Sequence, residues 1–295
     1  MKASSPGAAR PSISIVTPSF NQGLFLESAL RSVLDQNYPA LEYVVMDGGS
    51  TDGSASILRR YEARLAGWTH APDAGQYDAV AKGFARTKGE ILGWLNSDDA
   101  LVPGALSVVG EIFAQFPQIE WLTTTRPLFW DARDRIVRCE ALAGFSRGGF
   151  FAGEHLKREG CFDAGFIQQE STFWRRSLWE KAGGFDPDFP LAGDFALWAR
   201  FFEHAELVGI DTPLAGFRLH DNQKTGHRFA EYAREAEEAF VKYGGRRGGF
   251  VMREIARRWP AAWWPALARL GWMHRTRCVS RDLRRGVWTI AERFV

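Results

Sequence analysis

Chemistry in this chain concentrates where short apolar runs stop. Residues 91–95 read ILGWL and are followed at once by Asn96-Ser97-Asp98-Asp99. Two adjacent carboxylates at a strand end repel each other, and a hard divalent cation would relieve that repulsion. Mg²⁺ commonly takes one or two carboxylates and fills its shell with phosphate oxygens and water. The same residues are also ordinary turn chemistry ahead of Pro103. A second run, LEYVVM at 41–46, stops at Asp47-Gly48-Gly49-Ser50-Thr51-Asp52-Gly53. Asp47 is a carboxylate able to accept hydrogen bonds from a base or a ribose, and Asp52 is placed to open the next helix. Neither GxGxxG nor GxxxxGK[ST] occurs, so a dinucleotide fingerprint and a P-loop are excluded. Cys139, Cys161 and Cys278 show neither close pairing nor metal-ligand spacing, which reads as reduced thiols in a cytosolic compartment.

These clusters need elements to hold them. Residues 12–17 (SISIVT), 41–46, 68–70 and 91–95 read as strands. The apolar spacing of 21–36, 52–65, 76–85 and 103–116 fits one face of a helix in each case. Strict strand–helix alternation implies an α/β fold: a mixed, mainly parallel central sheet flanked by helices. Ligands of such sheets bind beyond the carboxyl ends of the strands, so residues 17–21, 47–53 and 96–99 are expected to face one crevice. Farther on, 121–125, 127–130, 136–140, 206–210 and 215–220 read as strands, and 171–173 is strand-like. Residues 147–160 read as a loop or short helix, and 176–182, 193–203 and 226–243 as helices. The expected organisation is a disordered lead-in (1–10), a nucleotide-binding half (11–116), an acceptor half (117–225) and a basic, Trp-rich helical extension (226–295).

With 295 residues, 45% hydrophobic and 24% charged, the chain can bury a sizeable core. A coiled coil, a collagen-like fibre and wholesale disorder are excluded. The net charge of +2 hides an asymmetry. Residues 241–295 hold 13 Lys or Arg against 3 acidic residues, so the remainder is net −8. Five of the twelve Trp lie in that tail. Phe250, Ile255, Trp259, Trp263, Trp264, Leu267 and Leu270 form an apolar stripe flanked by Arg253, Arg257, Arg258 and Arg269, broken at Pro260 and Pro265. Such a stripe suits the inner face of a membrane, or packing on the body or on a second subunit as a homodimer. No base-reading motif supports nucleic acid. The first eleven residues lack an apolar core and no run of 18 apolar residues occurs, so neither a signal peptide nor a span is expected. The protein is expected in the cytoplasm, with the tail at the membrane's inner face.

Taken together, the stretch PSISIVTPSFNQGLFLESALRSVLDQNYPALEYVVMDGGSTDGS and the later PDAGQYDAVAKGFARTKGEILGWLNSDD closely resemble the family 2 glycosyltransferases of bacterial cell-surface polysaccharide synthesis, over roughly residues 11–225. The resemblance implies the A-type nucleotide-sugar fold and an enzyme of hexosyltransferase type. Its donor would be a nucleoside-diphosphate sugar, UDP favoured, and its cofactor Mn²⁺ or Mg²⁺. The acceptor would be a saccharide or a lipid-linked sugar. Thr17, Pro18, Ser19 and Asn21 look like the first nucleotide loop. Asp47 with Gly49 looks like the base-reading turn, and Asp78 and Lys82 look like neighbours of the ribose and phosphates. Asn96 and Asp98 look like donor contacts, with Asp99, Asp98 and His220 as metal ligands. Asp194 looks like the catalytic base, removing a proton from the acceptor in an inverting displacement. Gln169, Glu170, Trp174 and Arg175 look like the acceptor wall. Two departures stand out: Asn96 replaces a frequent Asp, and Gly193 replaces a frequent Glu. They keep a non-catalytic nucleotide-sugar or carbohydrate-binding module open. A nucleotidyltransferase would show a Gly- and Lys-rich first loop, which 17–24 lacks.

Overall fold

The computed structural model describes residues 10–156, 165–221, 223, 228–248 and 250–295. Cys161, the end of the expected 147–160 segment, the first two residues of the expected 226–243 helix and nearly all of the expected lead-in lie outside the described residues.

The first half alternates as expected: β1 (Ile13–Ser19), α1 (Gly23–Leu34), β2 (Leu41–Asp47), α2 (Ser54–Tyr61), β3 (Gly67–His70), α3 (Gln76–Phe84), β4 (Ile91–Trp94), a short β5 (Ala100–Leu101) and α4 (Ala105–Gln115). There follow β6 (Trp121–Thr124), β7 (Leu128–Asp131), β8 (Ile136–Cys139), α5 (Arg147–Phe151), β9 (Phe173–Arg175), α6 (Arg176–Ala182), α7 (Gly193–His204), β10 (Leu207–Ile210), β11 (Ala215–Leu219) and α8 (Phe229–Lys242). The tail adds α9 (Phe250–Arg257), α10 (Trp264–Arg269), β12 (Arg275–Asp282) and β13 (Val287–Phe294).

Nine strands form the main sheet in the order β13-β12-β10-β6-β9-β4-β1-β2-β3, parallel throughout except at β9 and β13. The pleat sorts successive side chains into two cores. Ile13 and Ile15 of β1 and Tyr43 and Val45 of β2 join the core under α1 and α4, whereas Val16, Val44 and Met46 join the core under α3, α6 and α7. Strands buried on both faces read as continuous apolar runs, which is why these segments were legible in the sequence. A second sheet has the order β5-β11-β7-β8.

The expected helical extension needs correction. Its last twenty-one residues contain two strands, and β12 pairs parallel with β10 to carry the main sheet outward. Alternation decides it: Thr276 and Cys278 are buried, while Arg275 and Arg277, which alternate with them, are exposed. The period-two signal is there, but the arginines on the open face and the flanking tryptophans resemble an amphipathic helix.

Candidate active site

Strands β1, β2 and β4 run parallel, and Ser19 stands opposite Asp47 across the first pair. All three polar clusters therefore emerge at the same sheet edge. They border a cleft of about 800 Å³ whose walls include Pro18, Ser19, Gly49, Asn96, Asp98 and Asp99. Gln76, Asn96 and Phe217 also line a smaller cavity, about 150 Å³, that holds Glu170 and Asp194 among Tyr77, Trp94, Phe129 and Tyr232. One space is open and polar, the other enclosed and aromatic, and they share a wall.

The two carboxylates at the end of β4 divide their work. Asp99 is buried; its Oδ1 accepts the Arg218 backbone N–H at 2.8 Å and its Oδ2 the Asn96 amide at 3.3 Å. Burial, reinforced by the charges of Asp98 and Glu170, pushes its pKa well above the usual carboxylate range. Asp98 keeps part of its side chain open to the cleft, and its Oδ2 lies 3.1 Å from His220 Nε2. The Arg218 side chain is buried and donates from Nε to Asp98 O (2.6 Å) and from Nη1 to Asp131 O (3.2 Å), and Nη2 lies 2.6 Å from Asp134. It ties the strand-end loop to the second sheet.

Among the described residues, no three His, Cys, Asp or Glu side chains are grouped to hold a metal ion by themselves. Asp98 and His220 nevertheless fit as a pair. Neighbouring ligands on an octahedral cation with bonds of 2.0–2.1 Å lie about 3 Å apart, and substrate phosphate and water usually complete that shell. Asp99 is buried beside them and also borders the cleft.

Asn96 uses its whole amide. Its Oδ1 accepts from Gln76 Nε2 at 2.9 Å, and its Nδ2 reaches Gln169 Oε1 at 3.0 Å as well as Asp99. An aspartate there would lose both donated bonds and add a third charge beside Asp98 and Asp99. Gly193 has an equally local reason: a Cβ would stand 2.6 Å from the Tyr77 ring. Each departure from the family pattern thus has a partner in this chain.

Asp194 lies in the first turn of α7, buried, with Tyr77 Oη 3.3 Å from Oδ1 and Tyr232 Oη 3.3 and 3.4 Å from its two oxygens. Burial raises its pKa to about 6; the Phe195 N–H and the two hydroxyls limit the rise. Entry into the helix is held by a different carboxylate. Glu235 of α8 accepts from the backbone N–H groups of Leu191 and Ala192 at 2.8 and 3.0 Å. Glu170 is buried with Oε1 unpartnered, and burial together with the charges of Asp98 and Asp194 raises it to about 8.

Several expected contacts fall elsewhere. Asp47 is enclosed and spent on Ser50 (Oγ at 2.5 Å, N at 3.1 Å) and His70 Nδ1 (2.5 Å), so it shapes its turn from behind and leaves Gly48 and Gly49 at the cleft. Thr17 points into the fold and meets Tyr43 Oη at 2.9 Å. Asn21 braces the same turn, accepting from Thr51 N and donating its own N–H to Ser50. Asp78 and Lys82 pair with each other at 2.6 Å on α3, and Asp78 borders a neighbouring groove, not the cleft. Gln169 lines the small cavity, yet its amide is used on Asn96 and on Trp94 O. Trp174 is fully buried in the aromatic core. Arg175 stands opposite Ile91, at the far end of the sheet, bonded to Ile119 O, Phe113 O and Glu90. The reason is strand direction: β9 is antiparallel, so only its approach, Gln168 to Glu170, reaches the small cavity. Tyr77, Tyr232 and Glu235 are site residues that sequence reasoning missed. The Glu and Ala content of α8 marks a long polar helix, with no local sign that Tyr232 and Glu235 turn inward.

Residues 14–150 match the model of glycosyl transferase family 2. An uncharacterized glycosyltransferase of Mycobacterium tuberculosis is 32% identical over 191 residues, 62% of this chain and 66% of that relative, so the match leaves about a third of the relative uncovered. In three dimensions the chain is similar to S. aureus TarS in complex with UDP-GlcNAc (TM-score 0.59, 16% identity, 79% of this chain and 66% of that one). It is also similar to glucosyl-3-phosphoglycerate synthase of Mycobacterium tuberculosis in complex with Mn²⁺, UDP and phosphoglyceric acid (TM-score 0.54, 18% identity, 81% and 80%). The matched stretch, residues 14–150, contains the strand-end clusters that border the cleft, and it is this part of the chain that is similar to glycosyl transferase family 2.

Proposed function

We propose that this glycosyltransferase moves a sugar from a UDP-sugar to a saccharide or lipid-linked hydroxyl by a single inverting displacement. The observation that carries the reading is the shared wall. A desolvated Asp194 sits in a small cavity that abuts, through Gln76 and Asn96, the open cleft ending on Asp98 and Asp99. A long, charged donor suits the open space, and an acceptor sugar, with its apolar faces and hydroxyls, suits the aromatic one.

In this reading Asp194 takes the proton from the attacking hydroxyl. With a pKa of about 6 it is mostly ionised at neutral pH yet a stronger base than a free aspartate. Tyr77 and Tyr232 fix its orientation. Glu170, at about 8, keeps its proton and donates a hydrogen bond to a substrate hydroxyl, so it does not compete as base. Asp98 and His220, backed by Asp99, would hold a divalent cation, which supplies electrostatic support for the charge that grows on the leaving diphosphate. The fold neighbours crystallised with UDP-GlcNAc and with Mn²⁺ and UDP support this donor and cofactor class. One displacement needs no nucleophilic carboxylate. The binding-module alternative rested on Asn96 and Gly193, and both have local explanations.

A thermal-shift series tests the donor side. UDP and UDP-sugars should raise Tm more than GDP or dTDP, with a further increment from Mn²⁺ that Asp98→Asn removes. No shift with any nucleotide would exclude the donor cleft, and equal shifts with and without metal would exclude the cation. Release of UDP on adding an acceptor separates a transferase from a binder.

A further inference from the structure

Beyond the cleft, unexplained surface chemistry concentrates in residues 250–270. After α9 the chain makes one 3-10 turn (Ala261–Trp263) and then α10. One side of this unit is a small core of Ala256, Leu267 and Met273, packed with Trp264, Trp272 and Phe294. Phe294 belongs to β13, so the unit is fastened to the edge of the main sheet. Its other side leaves Met252, Ile255, Trp259, Trp263 and Leu270 exposed, the last two at 54% and 66%. Five of the thirteen exposed large hydrophobic residues among the described ones thus fall within nineteen positions. Met252, Ile255 and Trp259 recur at spacings of three and four, one face of a helix turn. The Trp259 and Trp263 rings meet edge to face at 5.9 Å, and Trp264 Nε1 donates to Trp259 O at 3.1 Å. The two indoles are therefore held outward by a fixed turn. Arg258 and Arg269 are exposed on the same unit, and Glu254 is the single acidic residue between 241 and 281.

We propose that this face docks on the surface of an anionic lipid bilayer. Indole rings with neighbouring aliphatic side chains seat at the headgroup boundary, and arginines beside them meet lipid phosphates. Charge argues against a second copy of this chain as the occupant. An isologous contact would bring two tails, each net +10 over residues 241–295, against each other. An anionic membrane has the complementary sign. The docking face shares no residue with the cleft or the small cavity, so it stands apart from the transferase reading.

The full chain is mixed with vesicles of phosphatidylcholine alone or of phosphatidylcholine and phosphatidylglycerol in equal parts, and sedimented. Retention on the anionic vesicles should exceed retention on neutral ones by about tenfold or more at roughly 0.1 M salt, and fall when salt is raised. Tryptophan emission should shift to the blue. Replacing both exposed indoles (Trp259→Ser with Trp263→Ser) should lower retention about tenfold, and so should Arg258→Glu with Arg269→Glu. Both variants should keep the wild-type thermal shift with UDP, which certifies that each has folded. The proposal fails if the wild type ignores anionic vesicles, or if both folded variants bind them as wild type does. It also fails if light scattering finds a dimer that the tryptophan pair dissolves.

Discussion

Asp98 and Asp194 are the same residue type on the same side of the sheet, set in opposite surroundings. Asp98 leaves 19% of its side chain open, beside an imidazole and a roomy polar cleft. Asp194 is shut between two tyrosines in a cavity a fifth as large. Water solvates the first and is largely kept from the second. A site that must receive a charged diphosphate benefits from an open, polar approach. A base that must take a proton from a sugar hydroxyl benefits from desolvation, because burial disfavours its charged form and raises its proton affinity. In the proposed mechanism, environment alone would give the two carboxylates their two roles.

The largest test of that contrast is Asp194→Asn. Transfer should fall about a thousandfold in kcat, while UDP-sugar affinity stays within about twofold, because only the enclosed side has changed. Comparable losses in both would erase the distinction. Arg218→Met attacks the open side. It removes a buried guanidinium that carries Asp98 O, Asp131 O and Asp134, so urea unfolding should show a loss of about 3 kcal/mol along with weaker nucleotide binding.

Desolvation of Asp194 can be read without any substrate. Its pKa rises from 3.8 unfolded to about 6 folded, so between those values the folded state binds more protons. Stability linked to this group is full below pH 3.8 and lost as pH rises through 6. Asp194→Asn should therefore be more stable than wild type at pH 8, by up to about 3 kcal/mol, with the gap closing near pH 4. Parallel stability curves would mean that the carboxylate is not desolvated. The smallest effect expected is that of Lys82→Ala: less than about twofold on donor affinity and under about 0.5 kcal/mol on stability, since its ion pair with Asp78 is exposed. A larger loss would bring α3 back into the donor side.

Local rules carried the sequence a long way. Fully buried strands and amphipathic helices announced themselves by period, so the alternation through α4 and the strand-end placement of residues 47–49 and 96–99 were readable from residue types and their spacing. So was Asp194 as a carboxylate opening a helix. The exceptions share one cause. The β12–β13 hairpin, the buried ends of Tyr232 and Glu235 and the retreat of Trp174 and Arg175 to the core and the far edge all depend on which segment lies beside which. Chain direction shows the same limit: Ser171 to Phe173 read as strand-like, but the strand is Phe173–Arg175, and only its antiparallel pairing with β4 and β6 carries Arg175 away from the cleft.

What the sequence determined by itself was the set of chemical groups and the elements that bear them, because helix and strand periods act over a few residues. What the tertiary structure decided was the state of those groups. Asn96 meets Gln169 across 73 positions, Asp194 meets Tyr77 across 117, and Asp98 meets His220 across 122. A pKa, a spent amide or a free oxygen follows from neighbours within a few ångströms. Such neighbours are brought together by packing and have no fixed spacing along the chain.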